Sequence, residues 1–328
     1  MFCKILEALK SGRSPLLFTS IEGQQIGQIA VSDGVEVYGN RALITDIAED
    51  TVLPTVRDGV LIERITTPPH LILCGGGHVS VSVAKIAKMV GFRITVIDER
   101  TDFANAVRFP DANAIVNLPF QEALDAIRDP NAYYVIVTRG HQYDRFCLET
   151  ILHKDYAYCG MIGSRSKISV VFDYLEKEGF SKELLATVHA PIGLSIGANT
   201  PEEIAVCIVG EMIQVKNGKM NGSEWDQALC KVIETLREPY AMVTVIAKKG
   251  SAPRSTGARM IVKRDGTIIS SIGGGFGEYE AADFAKEMLA QGPHAKRCTC
   301  LMNNREAADK GMVCGGSIDF LIQIVEVS

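Results

Sequence analysis

Residues 71–80 read Leu71-Ile72-Leu73-Cys74-Gly75-Gly76-Gly77-His78-Val79-Ser80, and a second apolar run, Ile94-Thr95-Val96-Ile97, ends in Asp98. The layout is a strand, a glycine turn, a helix and a second strand tipped by an acid, which is how a dinucleotide-binding fold begins. Gly75 and Gly77 let the backbone turn tightly and approach a pyrophosphate with no side chain in the way. The helix expected over 79–90 would aim its N-terminal N–H groups and dipole at that phosphate, with His78 inside the turn. Asp98 stands where a ribose hydroxyl could donate to it, a choice that favours NAD over NADP. The spacing is Gly75-x-Gly77-x-x-Ser80, so serine replaces the third glycine. A doubly wound domain that has kept the turn without the ligand would look the same.

The chain has 328 residues, enough for two domains, and 47% of them are hydrophobic. A net charge of −5 argues against nucleic acid or a membrane surface as the main partner. No apolar run approaches the ~18 residues of a membrane span. The opening MFCKILEALKSGRSP reads as an amphipathic start, with no apolar core or cleavage site of a signal peptide. Nine cysteines, an odd number, then point to free thiols in a reducing cytoplasm.

Residues 1–67 read as a small α/β segment: a helix over 3–10, then strands over 16–20, 25–31, 34–38 and 59–65. Thr67-Pro68-Pro69 punctuates like a linker. Residues 68–222 alternate strands (71–74, 93–97, 114–116, 133–137, 156–161, 186–189) with helices (79–90, 121–127, 145–153, 166–178, 201–215). That alternation predicts a Rossmann-like, mostly parallel, doubly wound sheet. After the polar stretch 216–223 comes a third segment, 223–328. It has a helix over 225–237, strands over 240–247, 258–263, 267–271 and 318–327, and a helix over 278–291. The fold class is α/β, a Rossmann-like domain with a second, smaller α/β domain.

Three loops follow strands of the central domain, at the edge where open α/β sheets bind ligands. In Arg139-Gly140-His141-x-x-Asp144, Arg139 can grip a phosphate and His141 can donate to an oxyanion or carry a proton. Asp144 either orients His141 or caps the next helix. In Gly163-Ser164-Arg165-Ser166-Lys167, Ser164 and Arg165 suit an anion at a helix N-terminus, or form an ordinary cap with surface charge. Gly193 and Gly197 lie in a loop that either closes over a ligand or simply turns.

With these pieces placed, the chain resembles the XdhC/CoxI family, accessory proteins of xanthine dehydrogenase and related molybdenum hydroxylases. PPHLILCGGGHVS, VIDERTDFANAVRFP, VTRGHQYD, YCGMIGSRSK and PIGLSIGANTPEEIA look like its Rossmann domain. GSAPRSTGARMIV, SIGGGFGEYE and VCGG look like its other domain. That domain usually comes first, so the chain resembles a circular permutation in which 1–67 and 223–328 form one discontinuous domain. Phe276 stands in a glycine turn where many relatives carry cysteine.

The resemblance implies a cofactor chaperone rather than a metabolic enzyme. Such a protein binds the molybdenum cofactor (molybdopterin or its dinucleotide form), supports its sulfuration and delivers it to a xanthine dehydrogenase-like hydroxylase. A cysteine desulfurase as sulfur source and a homodimer are further expectations. Arg254 and Gly274 would then meet a phosphate or pterin edge and Glu278 a pterin amine, unless these are two tight turns. Cys314 is the candidate sulfur carrier. Cys298-x-Cys300 fits no zinc spacing, and no resident metal is expected. Arg139, His141, Arg165 and Arg254 are expected to share one cleft. The alternatives are an NAD(P)-dependent oxidoreductase, for which no hydride-transfer pair stands out, and a scaffold with a vestigial nucleotide fold.

Overall fold

The computed structural model describes residues 1–48, 51–218, 222–250, 256–301 and 316–326. The chain forms two compact units: Met1–Thr67 together with Asn221–Ser328, and Pro68–Met220.

The first unit begins with α1 (Phe2–Lys10), which buries Phe2, Ile5, Leu6 and Ala8. Five strands follow: β1 (Leu16–Ser20), β2 (Ile29–Ser32), β3 (Val37–Gly39), β4 (Thr55–Arg57) and β5 (Val60–Thr66). They pair antiparallel in the order β5-β1-β2-β3, with β4 also on β5.

The second unit is contiguous. Its elements are β6 (His70–Cys74), α2 (His78–Met89), β7 (Arg93–Ile97), β8 (Ala114–Val116), α3 (Phe120–Ala126), β9 (Ala132–Ile136), α4 (His141–Leu152), β10 (Tyr158–Met161), α5 (Arg165–Lys177), α6 (Lys182–Leu185) and α7 (Pro201–Gly218). The five strands are parallel, in the order β10-β9-β6-β7-β8. β6 and β9 are buried at every position, as strands covered on both faces must be. Alternate residues feed two cores. Ile72, Cys74, Tyr134 and Ile136 pack with α3, α4 and α5, while Leu71, Leu73, Tyr133 and Val135 pack with α2 and α7. The order reverses between β6 and β9, so a crevice opens beyond their carboxyl ends.

The chain then returns to the first unit through β11 (Ser223–Glu224), which pairs in parallel with β5. There follow α8 (Gln227–Thr235), β12 (Tyr240–Gly250), β13 (Arg259–Val262), β14 (Ile268–Ser270), α9 (Gly275–Gln291), β15 (Ala295–Leu301) and β16 (Gly316–Val325). These strands make an antiparallel sheet, β14-β13-β12-β16-β15. Early and late segments share one core: Leu17, Val31 and Ile65 pack with Trp225, Met242 and Ile261. Gly27 lies so close to β15 that a Cβ there would fall 2.2 Å from that of Ala295. At the buried centre Glu63 of β5 accepts from Arg259 Nη1 (2.9 Å), Arg259 Nη2 and Ser223 Oγ (2.7 Å).

Several expected elements differ. Residues 186–189 form no strand; their β-like composition yields one bridge, Gly160 to His189. Trp225 precedes its helix because Asp226 caps it, accepting from the Leu229 N–H at 2.8 Å. The helix 145–153 starts earlier, at His141, and so takes in Asp144. The strand expected over 25–31 starts only at Ile29, after a short 3-10 turn. β4, β15 and the short α6 were not expected. No helix among the described residues is long and apolar enough to cross a membrane.

Candidate functional site

The glycine turn between β6 and α2 is shaped by three different demands. Gly75 has φ +114°, and a Cβ there would sit 2.5 Å from the carbonyl oxygen of Val137. Only glycine fits, because the turn presses against the chain leaving β9. Gly76 lies equally tight on Phe103, with a built Cβ 2.6 Å from its carbonyl oxygen. Gly77, by contrast, has nothing within 4 Å of its Cβ position. It is the N-cap of α2 and offers no side-chain acceptor to the first-turn N–H groups. Ser80, in the place of the third glycine, is buried and donates its hydroxyl to Gly75 O at 2.6 Å. The serine therefore holds the turn instead of degrading it.

Asp98 ends β7 and is 2% exposed. Its Oδ2 accepts from Gly76 N (2.8 Å) and Arg100 Nη2 (2.7 Å), and its Oδ1 from Arg100 N (3.1 Å) and Arg100 Nε (2.8 Å). Four donors fill the four lone-pair positions of a carboxylate. Burial pushes this carboxyl up, but the Arg100 fork and the Gly76 N–H outweigh it and hold it below the usual range. The acid expected at a ribose hydroxyl is thus turned inward, onto Arg100 and the turn itself.

On the other side of β6, Arg139 lies in the loop after β9. It donates from Nη2 to Glu99 (3.0 Å) and to the Tyr143 hydroxyl (2.7 Å). Gly140 caps α4, again with no side-chain acceptor for the first-turn N–H groups. His141 opens α4; its side chain lies outside the described residues. Asp144 is fully buried and accepts from the Thr138 hydroxyl (2.7 Å), Thr138 N (3.2 Å) and Lys167 Nζ. It neither caps the helix nor faces solvent; it ties the β9 loop to the start of α5. Asp144→Ala leaves the Lys167 ammonium, 15% exposed, without its counter-charge and is expected to cost about 3 kcal/mol. A urea midpoint equal to that of the unaltered protein would refute this role.

The remaining expected residues fall elsewhere. His78 is exposed at the first position of α2. Ser164 caps α5, accepting from Lys167 N at 3.3 Å, and Arg165 is exposed beside it. Gly193 (φ +96°) donates its N–H to Glu211 Oε2 at 3.0 Å; Gly197 (φ +82°) is exposed. Glu211 also accepts from the Tyr158 hydroxyl (2.6 Å) and pairs with His189 Nδ1 (3.3 Å). Burial raises its carboxyl, but His189, Tyr158 and the Gly193 N–H hold it below the usual range.

In the first unit, Gly274 (φ +73°) is the N-cap of α9. Glu278 Oε2 accepts from the Ser271 hydroxyl (2.6 Å), Ile272 N (3.0 Å) and Gly274 N (3.0 Å), so it closes the glycine turn from within. Phe276 packs partly buried on the core beneath. Cys298 and Cys300 point into that core; burial, with Glu280 beside it, pushes the Cys300 thiol up to about 12. Arg254 and Cys314 lie outside the described residues. No group of three His, Cys, Asp or Glu side chains suited to a metal ion occurs among the described residues.

Sequence reasoning missed Arg100, Arg108 and Glu211, and read Lys167 as a cation for an anion where it is paired with Asp144. Arg108 donates from Nε to Phe103 O (3.0 Å) and from Nη2 to Gly76 O (3.1 Å), reaching the turn across 32 residues. Both arginines lie in the stretch VIDERTDFANAVRFP, whose spacing announces neither.

Residues 71–212 match the XdhC Rossmann domain, and residues 235–298 match the XdhC and CoxI family. The chain is 34% identical over 155 residues to the uncharacterized protein YqeB of Escherichia coli K12, covering 47% of this chain and 28% of that protein. It is 30% identical over 164 residues to a probable xanthine dehydrogenase subunit of Bacillus subtilis, covering 48% and 46%. The matched regions thus span less than half the length of both curated relatives. A crystal structure described as a xanthine dehydrogenase from Bacillus halodurans shares the fold, with a TM-score of 0.53, 22% identity, and coverage of 66% of this chain and 64% of that one.

Proposed function

The chain belongs to the XdhC and CoxI family, and from that premise we propose that it is an accessory factor for a xanthine dehydrogenase-type molybdenum hydroxylase. In this reading it holds the molybdenum cofactor, supports its sulfuration and hands it to the client enzyme. One observation carries the proposal. α2 and α4, the two helices that open onto the switch point of the sheet, are both capped by glycines that offer no side-chain acceptor. The first-turn N–H groups of α2 have no intrahelical acceptor, whereas in α4 Tyr143 N already donates to Gly140 O at 3.1 Å; the space at Gly77 is open. Ser164, Ser181 and Asp226 cap their helices with their own oxygens, whereas α1, α3 and α9 share the lack of a side-chain cap but do not open onto the switch point.

A phosphate would suit this place: both helices open at the switch point, and among the described residues nothing lies within 4 Å of a Cβ at Gly77 or Gly140. Gly77, His78 and Gly140 would hold the phosphate of the cofactor, and the bound cofactor would supply the oxo-to-sulfido molybdenum centre that the client requires. Sulfur would come from a cysteine desulfurase, directly or through Cys314. Among the described thiols, Cys147 and Cys159 are buried with their ionisation pushed well up, which leaves them protonated and poor nucleophiles.

The test is mass spectrometry of the small molecules released from protein purified from a molybdenum-replete host. A pterin phosphate or pterin dinucleotide is expected. Gly77→Val is expected to abolish its retention with the circular dichroism spectrum unchanged, because the side chain enters the open space. Full retention in the folded variant would rule this site out.

A further inference from the structure

Beyond the phosphate position, the end of the crevice that ordinarily reads a ribose is built from cations. In a dinucleotide fold the acid at the end of the second strand accepts from ribose hydroxyls, whereas an arginine there accommodates a phosphate. Asp98 has no lone pair left for a hydroxyl. Its neighbour Glu99 is paired with Arg139 at 3.0 Å. Asp98 is thus matched by Arg100 and Glu99 by Arg139.

Arg108 is the cation left over. Its hydrogen bonds go to two carbonyl oxygens, and it meets no carboxylate among the described residues. Carbonyl oxygens orient a guanidinium without neutralising it. The Arg100 guanidinium carbon lies over the Phe103 ring, 3.8 Å from the centroid, and that of Arg108 lies 5.6 Å from the same centroid. One ring therefore positions both guanidinium groups, and both are tied to Gly76, Arg100 through Asp98 and Arg108 directly. Arg100 spends Nε and Nη2 on Asp98, so Nη1 of each arginine is unspent in these bonds.

We propose that Arg100 and Arg108 form a clamp for a phosphate monoester at the ribose end of this crevice. The proposal rests on the reading of the β6–α2 turn as a phosphate-binding site. Two ligands carry that chemistry: a dinucleotide whose ribose bears a 2′-phosphate, and a pterin that ends in a phosphate with no nucleotide attached. An unphosphorylated ribose diol would leave the Arg108 charge unanswered and would find no acceptor in Asp98.

Calorimetric titration of the full chain with NADP+ and NAD+ separates the alternatives, because the two differ only in the 2′-phosphate. NADP+ is expected to bind at least about tenfold tighter, as a charge-assisted fork to a dianion provides. In Arg108→Ala the gap is expected to shrink to threefold or less, and Arg108→Lys, which keeps the charge and loses the fork, should fall between. A parallel arm uses 6-hydroxymethylpterin and its phosphate ester. Dependence on phosphate and on Arg108 in this arm alone identifies the pterin source. Equal affinity within both pairs overturns the clamp, and binding of both dinucleotides at equal affinity leaves the phosphate site at Gly77 standing. Binding of none of the four overturns both. The comparison on the unaltered protein needs no variant to fold.

Discussion

Glu63→Ala is expected to destabilise the first unit by about 3–5 kcal/mol, the cost of removing one partner from a buried ion pair. Glu63 is completely buried and Arg259 is 6% exposed, so the guanidinium left behind would face no solvent to replace the carboxylate. Ser223 Oγ would lose its acceptor at the same time. A Cβ on Gly257 (φ +90°) would meet Glu63 Oε1 at 2.7 Å. A denaturant midpoint within a few tenths of a kcal/mol of the unaltered protein would contradict the assignment. The double variant Glu63→Leu, Arg259→Met should recover most of the loss, since an apolar pair of similar volume has no charge to strand.

Gly75→Ala should cost ~3 kcal/mol or more, whereas Gly77→Ala should cost less than ~1 kcal/mol. The two positions are two residues apart and chemically identical. At Gly75 the backbone has φ +114° and the new methyl would meet the Val137 carbonyl at 2.5 Å. At Gly77 the backbone is extended, φ −69° and ψ −177°, and the methyl meets nothing. Thermal unfolding of the two variants side by side checks the contrast. Equal loss at both would mean that the turn is held by something other than the β9 contact.

The Rossmann unit was legible because four of its five strands, β6, β7, β9 and β10, are short, apolar and almost wholly buried, and because glycine marks the turn. β15 was not. Its run Ala295–Leu301 places Lys296, Arg297, Thr299 and Leu301 outward and buries only Cys298 and Cys300, so two thiols carry its apolar signal. β4 is three residues long and largely exposed. The segment 186–189 failed in the opposite sense: a β-like tetrapeptide had no strand edge to pair with beyond one residue. In the candidate site, glycines read well because their constraint is local. Asp98 read as a free acid because nothing in the spacing shows that Arg100 folds back on it. Arg108, Lys167 and Ser80 gain their roles from partners brought close by the fold, and the motifs that contain Lys167 and Ser80 do not show those partners.

The order in which the chain is made follows from how its first unit is knitted. The Rossmann unit is complete once Gly218 has been synthesised. Residues 1–67 are not: Leu17, Val31 and Ile65 find Met242 and Ile261 only later, and Glu63 meets Arg259 later still. At ~5–20 residues per second, the earliest segment waits on the order of tens of seconds for its partners. During translation its apolar sheet face is uncovered while a finished neighbour already stands downstream. The burden of keeping this protein from aggregating therefore falls on its first sixty-seven residues, and on whatever shelters a nascent chain.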